Sequence, residues 1–393
     1  MYAPKLFHRT LNLSVPSVAL KVLHVIPTLD PLLGGPSSAI RGMTKCLLAA
    51  GIDVTVAATT TGEQWPLDAV PTFQLPILES PLIPPSFYFS PALAQWIDRE
   101  IVKFDLVHIH TIFNFPAMVT CRTARRRAVP YIIRPCGILD SWSMSRSRLK
   151  KFFWLRYIDR PNLQGAGAIH FTSEEERIGA IGVTAGIPSA VIPLGIDLPE
   201  FSPKKSPVAE KIILFLSRLH PKKGLERLIQ ALGQLVLERS DFLLVVAGSG
   251  EPDYERRLRQ MAVDAGIAER IEWRGFVAGP AKVALLRSAD IFVLSSFQEN
   301  FGIAVAEAMA YGVPVVISDR VNLHSVVAAS GAGIVTQLDV KSLASGIRQL
   351  LQDDSFRLEC GVNAANTASR YFSWVSIAQE LTTLYQHVCR SKH

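Results

Sequence analysis

The sequence predicts an α/β protein with two domains, each built on a doubly wound parallel sheet. Short apolar runs of strand length alternate with helical patterns along most of the 393 residues, as in βαβ units. The alternation breaks once, in a polar, proline-containing segment between residues 191 and 210. A chain of this length also exceeds what one hydrophobic core usually organises. We therefore expect two Rossmann-like halves that face each other across a deep cleft.

The first half follows a loose lead-in over residues 1–20. Gly34-Gly35-Pro36-Ser37 forms a loop after the first strand, and a helical stretch continues through Ala50. Ser173-Glu-Glu-Glu176 has the form of a helix start, because serine can cap the free N–H groups of a first turn. Buried apolar runs predict the strands of this half at 21–27, 53–57, 105–110, 130–133 and 169–172.

The second half repeats the alternation and ends in an amphipathic helix at 374–387. Its strands are predicted at 211–216, 242–248, 271–275, 291–294 and 313–317. We assign one domain to residues 1–197, a linker to 198–210, a second domain to 211–372 and a C-terminal helix to 373–393.

Composition limits the classes of protein that this chain can belong to. No apolar run is long enough to span a membrane, and no signal peptide is recognisable at the N-terminus. The five cysteines are odd in number and lack C-x2-C spacing, which predicts reduced thiols in the cytoplasm, without disulfides or a zinc site.

The chain is basic, with a formal charge of +7 and a sequence pI of about 9.2. Residues 146–156 interleave cations with large apolar side chains, as an amphipathic helix at an anionic membrane surface does. A solvated basic helix face explains the same pattern. Nucleic acid is not expected as a partner, because no nucleic-acid-binding motif accompanies the charge.

Two carboxylates eight residues apart, Glu299 and Glu307, bracket a glycine directly after the strand at 291–294. Gly302 suits a strand-to-helix turn, and the N–H groups of the helix that follows form an anion site suited to phosphate. The glutamates themselves can accept hydrogen bonds from hydroxyl groups on either side of that phosphate. A capped surface helix with two solvated glutamates is the alternative.

Basic residues follow the first strand of the same half. Arg218 can bind a phosphate with two N–H groups, and Lys223 adds a second charge five residues later. In the first half, Gly34 and Gly35 form a turn where backbone can approach a ligand closely. No strand is followed by G-x-G-x-x-G, so a dinucleotide site is not expected.

Two further strand ends carry polar groups. His108 and His110 lie on one face of a strand, but no third ligand has suitable local spacing for a metal site, and none is predicted. We expect His110 to line the cleft instead. The segment from Arg134 through Cys136 and Gly137 to Asp140 ends the next strand and should also face the cleft.

Taken together, these motifs resemble those of glycosyltransferase family 4, the retaining group 1 glycosyltransferases with the two-domain GT-B fold. The resemblance covers residues 21 to 390 and is strongest where R-x4-K-G, V-V-A-G-S-G and E-x-F-G-x4-E occur in order. It implies an acceptor-binding first domain, a nucleotide-sugar-binding second domain and a terminal helix that crosses back to the first.

The resemblance also implies roles for individual residues. Arg218 and Lys223 would hold the donor diphosphate, Glu299 would contact sugar hydroxyls and Glu307 the ribose. The expected catalytic set consists of Arg218, Lys223, Glu299 and His110. The residues expected to contact the donor are Gly34, Gly35, Gly248, Asn300, Phe301, Gly302, Ile303 and Glu307.

The chain departs from the family pattern at two positions. Cys136 precedes Gly137 where many relatives have a histidine that touches the donor sugar, so another group, His110 or Asp140, must replace that contact. Leu194-Gly195 replaces the common Asn-Gly of the interdomain segment.

The expected function is transfer of a sugar from a nucleoside-diphosphate sugar to an acceptor hydroxyl, with retention at the anomeric carbon and without a metal or a separate cofactor. The resemblance is to enzymes of polysaccharide biosynthesis, so the expected acceptor is lipid-linked or a growing cell-surface polysaccharide. Lipid-linked acceptors are common in the family and would place this protein at the inner face of the plasma membrane. A sugar-nucleotide epimerase, a phosphorylase and a catalytically silent scaffold of the same fold are the alternatives.

Overall fold

The computed structural model of the chain describes residues 19–31, 35–139, 154–199, 210–238 and 241–391. Most of the predicted lead-in, of the linker at 198–210 and of the basic segment at 146–156 lies outside these ranges. The domain boundaries assigned above stay a prediction.

Seven parallel strands form the sheet of the first half in the described residues, in the order β3-β2-β1-β4-β5-β6-β7. The strands are β1 Lys21–Thr28, β2 Asp53–Thr60, β3 Thr72–Pro76, β4 Leu106–His110, β5 Tyr131–Arg134, β6 Ala168–Phe171 and β7 Ser189–Val191. The helices are α1 Gly35–Ala49, α2 Pro91–Glu100, α3 Phe115–Arg126, α4 Arg160–Gln164, α5 Glu174–Gly179 and α6 Ile181–Thr184.

Six parallel strands form the second sheet, in the order β10-β9-β8-β11-β12-β13, again within the ranges given above. They are β8 Lys211–Leu216, β9 Phe242–Ala247, β10 Ile271–Gly275, β11 Ile291–Leu294, β12 Val315–Ser318 and β13 Gly333–Thr336. The helices are α7 Leu225–Leu235, α8 Pro252–Asp264, α9 Gly279–Ser288, α10 Ile303–Ala310, α11 His324–Ser330, α12 Val340–Gln352, α13 Asp354–Tyr371 and α14 Trp374–Arg390.

This architecture confirms the predicted fold class of two parallel-sheet, Rossmann-like halves. The strand order reverses between β1 and β4 in the first sheet and between β8 and β11 in the second. Loops at the carboxyl ends of strands beside such a reversal form the crevice in which open α/β sheets bind ligands. The loops that carry most of the candidate residues start from these strands.

The sequence missed three strands, and all three lie at sheet edges. β3 and β7 are the two edges of the first sheet, and β13 is one edge of the second. Their residues are mostly half-buried or exposed, whereas the central strands β4, β5, β11 and β12 are fully buried. An edge strand is covered on fewer sides, so its sequence lacks the continuous apolar run by which the other strands are recognised.

The last helix, α14, packs on the first half of the chain. Its first residue, Trp374, occupies a notch left by two glycines: a Cβ atom built on Gly42 would lie 2.0 Å from the indole ring, and one built on Gly195 would lie 2.2 Å from it. Near the other end of the helix, a Cβ atom built on Gly167 would lie 2.4 Å from Val388 Cγ1. The close approach therefore depends on glycine at three separate positions of the first half.

Four histidines lie together on one face of the first sheet, beneath α14. His24 of β1 stands opposite His108 of β4, and His110 and His170 lie on the same face; all four side chains are 0% exposed. Sequence analysis identified only His108 and His110 as neighbours, because the pairing of β1 with β4 cannot be recognised from the local sequence. Ring nitrogens of His24, His108 and His110 lie within 4.8 Å of one another, the arrangement of a possible metal site.

Hydrogen bonds assign a different role to His108. His170 Nε2 lies 2.8 Å from the carbonyl oxygen of Ile192 and must donate to it, so the other nitrogen of His170 accepts from His108 Nε2 at 3.2 Å. His108 Nδ1 then accepts from the hydroxyl of Tyr385 in α14, at 2.8 Å. A metal ion bound to His108 would have to displace one of these bonds.

Burial keeps the imidazoles neutral. It lowers the pKa of His24 and of His170 to about 3, with a smaller contribution from the nearby Arg134 cation. The pKa values of His108 and His110 are also well below the ordinary value, again mainly because of burial. Neutral rings are what the hydrogen-bond chain to Tyr385 requires.

The first half should lose stability as the pH falls from about 6.5 towards 3. In the unfolded chain each histidine binds a proton as the pH falls below its ordinary pKa of 6.5, but in the folded chain the pKa of His24 and of His170 is about 3. Unfolding therefore takes up protons in this window, and each histidine costs about 1.4 kcal/mol of stability per pH unit.

The thermal midpoint, measured between pH 5 and 7, tests this prediction. His24→Asn removes one titrating ring and should flatten the pH dependence, and His387→Asn, at an exposed histidine of α14, controls for the substitution itself. A thermal midpoint that is constant across this range would contradict the prediction.

Candidate functional site

A cleft of about 420 Å³ lies between the two sheets, at their carboxyl ends. Residues of both halves line it, as expected for a site between two Rossmann-like units. From the first half these are Gly35, Pro36, Arg134, Cys136, Gly137, Ile138, Thr172 and Leu194. From the second half they are Leu216, Ser217, Arg218, Lys222, Lys223, Leu294, Gln298, Glu299, Asn300, Phe301, Gly302, Ile303 and Ala304.

The loop after β8 brings two cations to the cleft. Arg218 follows the strand directly, and a short 3-10 turn over Pro221–Lys223 positions Lys223. The turn ends at Gly224, whose φ of 72° is left-handed and whose missing Cβ leaves room for the carbonyl oxygen of Ser295, 2.1 Å from where that atom would be. The loops after β8 and β11 are thereby held side by side.

The loop after β11 ends at Gly302, which adopts φ 85° and starts α10. The first hydrogen bonds of this helix run from Val305 and Ala306 to the carbonyl oxygen of Gly302. The N–H groups of Ile303 and Ala304 belong to the first turn, which has no partners within the helix, and both residues line the cleft. These N–H groups and the positive end of the helix dipole are able to attract an anion, and the anion site that the sequence predicted stays a prediction.

The two glutamates are each paired with a lysine. The carboxylate of Glu299 accepts a short hydrogen bond from Lys223 Nζ, and both side chains are mostly buried, at 21% and 15% exposure. Glu307 accepts from Lys282 Nζ at 2.7 Å. Lys282 carries no local signal in the sequence, because it lies on α9 and meets Glu307 only in the folded domain.

Gly35 brings the start of α1 to the opposite wall of the cleft. A Cβ atom built on this glycine would lie 3.8 Å from Ile303 Cδ1, so the beginnings of α1 and α10 face each other across the cleft. Gly34 lies outside the described residues.

The loop after β5 forms the other end of the first-half wall. Cys136 and Gly137 both adopt left-handed backbone conformations, with φ values of 58° and 77°. A Cβ atom on Gly137 would lie 2.6 Å from the side chain of Asn300, so this loop touches the loop after β11. The thiol of Cys136 is turned back and accepts from Arg134 Nε at 3.2 Å, and burial raises its pKa.

A buried carboxylate, Glu176, supports this loop. Its oxygens accept hydrogen bonds from the backbone N–H of Gly137 at 2.5 Å and of Thr172 at 2.7 Å, and from the Thr172 hydroxyl at 2.8 Å. The Thr172 hydroxyl in turn accepts from Asn300 Nδ2 at 3.1 Å, which links the two halves. Burial raises the pKa of Glu176, and the hydrogen bonds oppose that rise.

Most of the residues predicted for the site line the cleft together. They are Gly35, Cys136, Gly137, Arg218, Lys223, Glu299, Asn300, Phe301, Gly302 and Ile303. Their roles in binding and catalysis stay predictions. Asp140 lies outside the described residues.

Three predicted residues do not line the cleft. His110 is completely buried in the histidine cluster beneath it, so the expectation that it faces the ligand was wrong. Gly248 lies at the end of β9, where its missing Cβ lets the chain pass against the carbonyl oxygen of Ser217. Glu307 lies outside the lining set, beside Lys282.

Sequence reasoning placed Arg134 in a segment that should face the cleft but gave it no role, and it passed over Thr172 and Glu176 as site residues. Thr172 lies at the carboxyl end of a predicted strand, a signal that could have found it. Glu176 was read only as part of a helix start, and its contact with Gly137 depends on tertiary packing.

This arrangement can hold an anion between fixed positive groups and a hydroxyl-bearing group beside them. Arg218, Lys223 and the start of α10 supply the positive charge, and Glu299 supplies hydrogen-bond acceptors close by. Charges fixed in place before a reaction stabilise negative charge that develops on a departing group.

Comparison with known families assigns both halves of the chain. Residues 34–195 match the model described as a glycosyl transferase 4-like domain, and residues 199–367 match the model described as glycosyl transferases group 1.

Individual proteins agree with these assignments. The chain is 38% identical over 178 residues to an uncharacterized glycosyltransferase of Methanocaldococcus jannaschii, a match that spans 45% of each chain. It is 31% identical over 320 residues to the phosphatidyl-myo-inositol mannosyltransferase of Mycobacterium tuberculosis, covering 77% of this chain and 79% of that one.

Among solved structures, Anabaena HepE in complex with UDP-glucose superposes with a TM-score of 0.71 at 20% identity, over 93% of this chain and 98% of that one. That likeness shows a common fold. Since both halves match models of one family, and the mycobacterial relative matches across most of the chain, this protein belongs to the group 1 glycosyltransferases of family 4, with the GT-B fold.

Proposed function

We propose that this glycosyltransferase moves a sugar from a nucleoside-diphosphate sugar to an acceptor hydroxyl, with retention of the anomeric configuration. One observation carries the proposal: Arg218, Lys223 and the start of α10 line the same cleft as Glu299. A diphosphate would lie against the positive groups, and the sugar beside Glu299. HepE, which shares the fold, was solved with UDP-glucose, so a UDP-sugar is one candidate donor and a GDP-sugar the other.

In this mechanism, the chain lowers the barrier by stabilising the departing diphosphate. As the bond to the anomeric carbon breaks, negative charge grows on the phosphate, and Arg218, Lys223 and the N–H groups at the start of α10 offset it. The Lys223–Glu299 pair fixes the lysine in the cleft before the donor arrives. Closure of the two halves on the substrates would exclude water and limit hydrolysis.

Retention is proposed from the carboxylates that the cleft offers. Of the described residues that line it, only Glu299 carries a carboxylate, and it is engaged by Lys223. An inverting mechanism needs a general base on the face opposite the leaving group. With the one carboxylate occupied, the leaving phosphate itself would take the acceptor proton, on the same face from which it departs.

Lys223→Ala should lower turnover by about 10²- to 10³-fold, because it removes one fixed donor to the leaving group. Glu299→Ala should also lower turnover, and the double variant should lose little more than the worse single variant, because the pair acts as a unit. Release of nucleoside diphosphate measures the effect, after thermal-shift screening of UDP- and GDP-sugars has identified the donor.

Lys103→Ala is the control for these variants, because it removes a lysine from a surface ion pair with Glu100, remote from the cleft. Unchanged turnover in Lys223→Ala and Glu299→Ala would contradict the proposed roles of this pair, whereas a wild type without turnover on any bound donor would favour a silent scaffold. Formation of a new sugar nucleotide without any acceptor would favour an epimerase instead.

We also propose that transfer needs no divalent metal, since two side-chain cations and a helix start already face the diphosphate. Turnover should be unchanged after treatment with a chelator such as EDTA. Loss of turnover with the chelator and recovery with manganese would refute this part of the mechanism.

A lipid-linked acceptor at the inner membrane face is the acceptor class that we propose. Its support is a relative named for a phosphatidyl-inositol acceptor and an apolar surface on the first half. There, Trp154 packs edge-on against Phe87 at 5.3 Å, and Tyr157 is 69% exposed. In the sequence, Trp154 belongs to the basic segment 146–156, and Tyr157 directly follows it. None of the described helices is long and apolar enough to cross a bilayer.

Sedimentation with vesicles that contain anionic lipid tests the membrane contact. Lys150→Ala/Lys151→Ala should bind more weakly than the wild type, because each basic residue near an anionic surface contributes about 1 kcal/mol. Arg256→Ala/Arg257→Ala removes two charges from α8 of the second half and should bind like the wild type. Equal binding by all three proteins would contradict the proposed surface.

A further inference from the structure

Arg134 is a buried cation that the functions described so far do not use. It ends β5, where it stands opposite His110 of β4, and its side chain is only 1% exposed. It nevertheless belongs to the wall of the cleft, beside Cys136 and Gly137. A guanidinium group so deeply buried is expected to have an anionic partner, because burial of an unpaired charge is costly.

The protein supplies little to balance this charge. Arg134 Nε donates to the thiol of Cys136, but Nη1 is buried and has no hydrogen-bond partner in the described residues. No carboxylate oxygen of those residues lies within 4.0 Å of the guanidinium. Glu176 is close enough for its pKa to respond to Arg134, but hydrogen bonds from Gly137 and Thr172 occupy its oxygens.

Among the described residues, four titratable neighbours of Arg134 are neutral. They are the imidazoles of His24, His108, His110 and His170, whose pKa values are lowered by burial and by Arg134 itself. The cleft wall of the first half therefore carries one positive charge with an unused N–H donor. That is the arrangement of a site for a carboxylate or phosphate.

The position of Arg134 separates it from the diphosphate. The start of α10, one of the positive groups of the second half, meets the first half at Gly35, directly across from Ile303, and Gly35 follows β1. Arg134 ends β5, two strands away in the order β1-β4-β5, which corresponds to about 9–10 Å. The loop at its end of the cleft instead touches Asn300, the neighbour of Glu299, where the sugar is expected.

We propose that Arg134 determines specificity for an acidic sugar: its guanidinium binds a carboxylate or phosphate group of the sugar substrate, apart from the diphosphate of the donor. The inference rests on the proposed function, because it takes the cleft to be the donor and acceptor site. The anionic group has two possible sources, a uronate on the donor or a phosphate on the acceptor sugar. Both present oxygens that a buried arginine can bind with two N–H groups.

Calorimetric titration of the full chain tests the proposal with matched pairs of probes. The donor arm compares UDP-glucuronate with UDP-glucose, and GDP-mannuronate with GDP-mannose. The acceptor arm compares glucose 6-phosphate with glucose, in the presence of saturating UDP or GDP. In one arm the acidic member should bind at least about tenfold more tightly than the neutral member, as expected for a charged hydrogen bond.

Two variants assign that preference to Arg134. Arg134→Gln should abolish the preference for the acidic probe but change the affinity for UDP or GDP alone by less than about twofold. Arg134→Lys keeps the positive charge but lacks the planar guanidinium group, so part of the preference for the acidic probe should remain. The lysine variant also carries the test if the glutamine variant does not fold.

Two results would overturn the inference. One is equal affinity of the wild type for acidic and neutral probes in both arms. The other is a glutamine variant that loses affinity for UDP or GDP itself, which would make Arg134 a ligand of the diphosphate. Failure of the wild type to bind any nucleoside diphosphate or its sugars would instead refute the proposed function.

Discussion

The architecture depends on the docking of α14 against the half of the chain that lies farthest from it in sequence. Trp374 enters a notch formed by Gly42 and Gly195, and the hydroxyl of Tyr385 reaches a histidine that is otherwise completely buried. These contacts tie the C-terminal helix to the first sheet, while α13 before it belongs to the second half. This docking holds the carboxyl ends of the two sheets facing each other, and the cleft lies between these ends.

Electrostatics divides the cleft into two regions. Local structure positions the positive groups of the second half: the 3-10 turn before Gly224 and the helix start at Gly302. The backbone therefore sets the positions of these groups before a ligand binds. Their charge is partly offset by Glu299, which limits the cost of burying them together. Among the described residues of the first half, no comparable cluster of charges lines the cleft, and hydrogen bonds of Glu176 shape the wall around the loop at Gly137 instead.

The fold class and most of the second-half site could be predicted from the sequence, because both depend on patterns of residues that are close together in the chain. Arg218, Lys223 and Gly302 lie in the loops that follow the central strands β8 and β11, and loops at this edge of the sheet form the crevice. Prediction failed where the answer depends on distant pairing: His24 joins His108 only through the contact between β1 and β4, and Lys282 meets Glu307 only across helices. His110 shows a related limit. The alternation of side chains along a strand predicts on which face of the sheet a residue lies, but not how deeply its side chain is buried.

The glycine notches under α14 have a consequence for the order in which the molecule is completed. Gly42, Gly167 and Gly195 are synthesised well before Trp374 and Val388, the side chains that fill their notches. Until α14 has been made, the first sheet presents an open apolar groove, and His108 lacks its Tyr385 partner. The first half is therefore synthesised before the second but completes its packing only after α14 has been made.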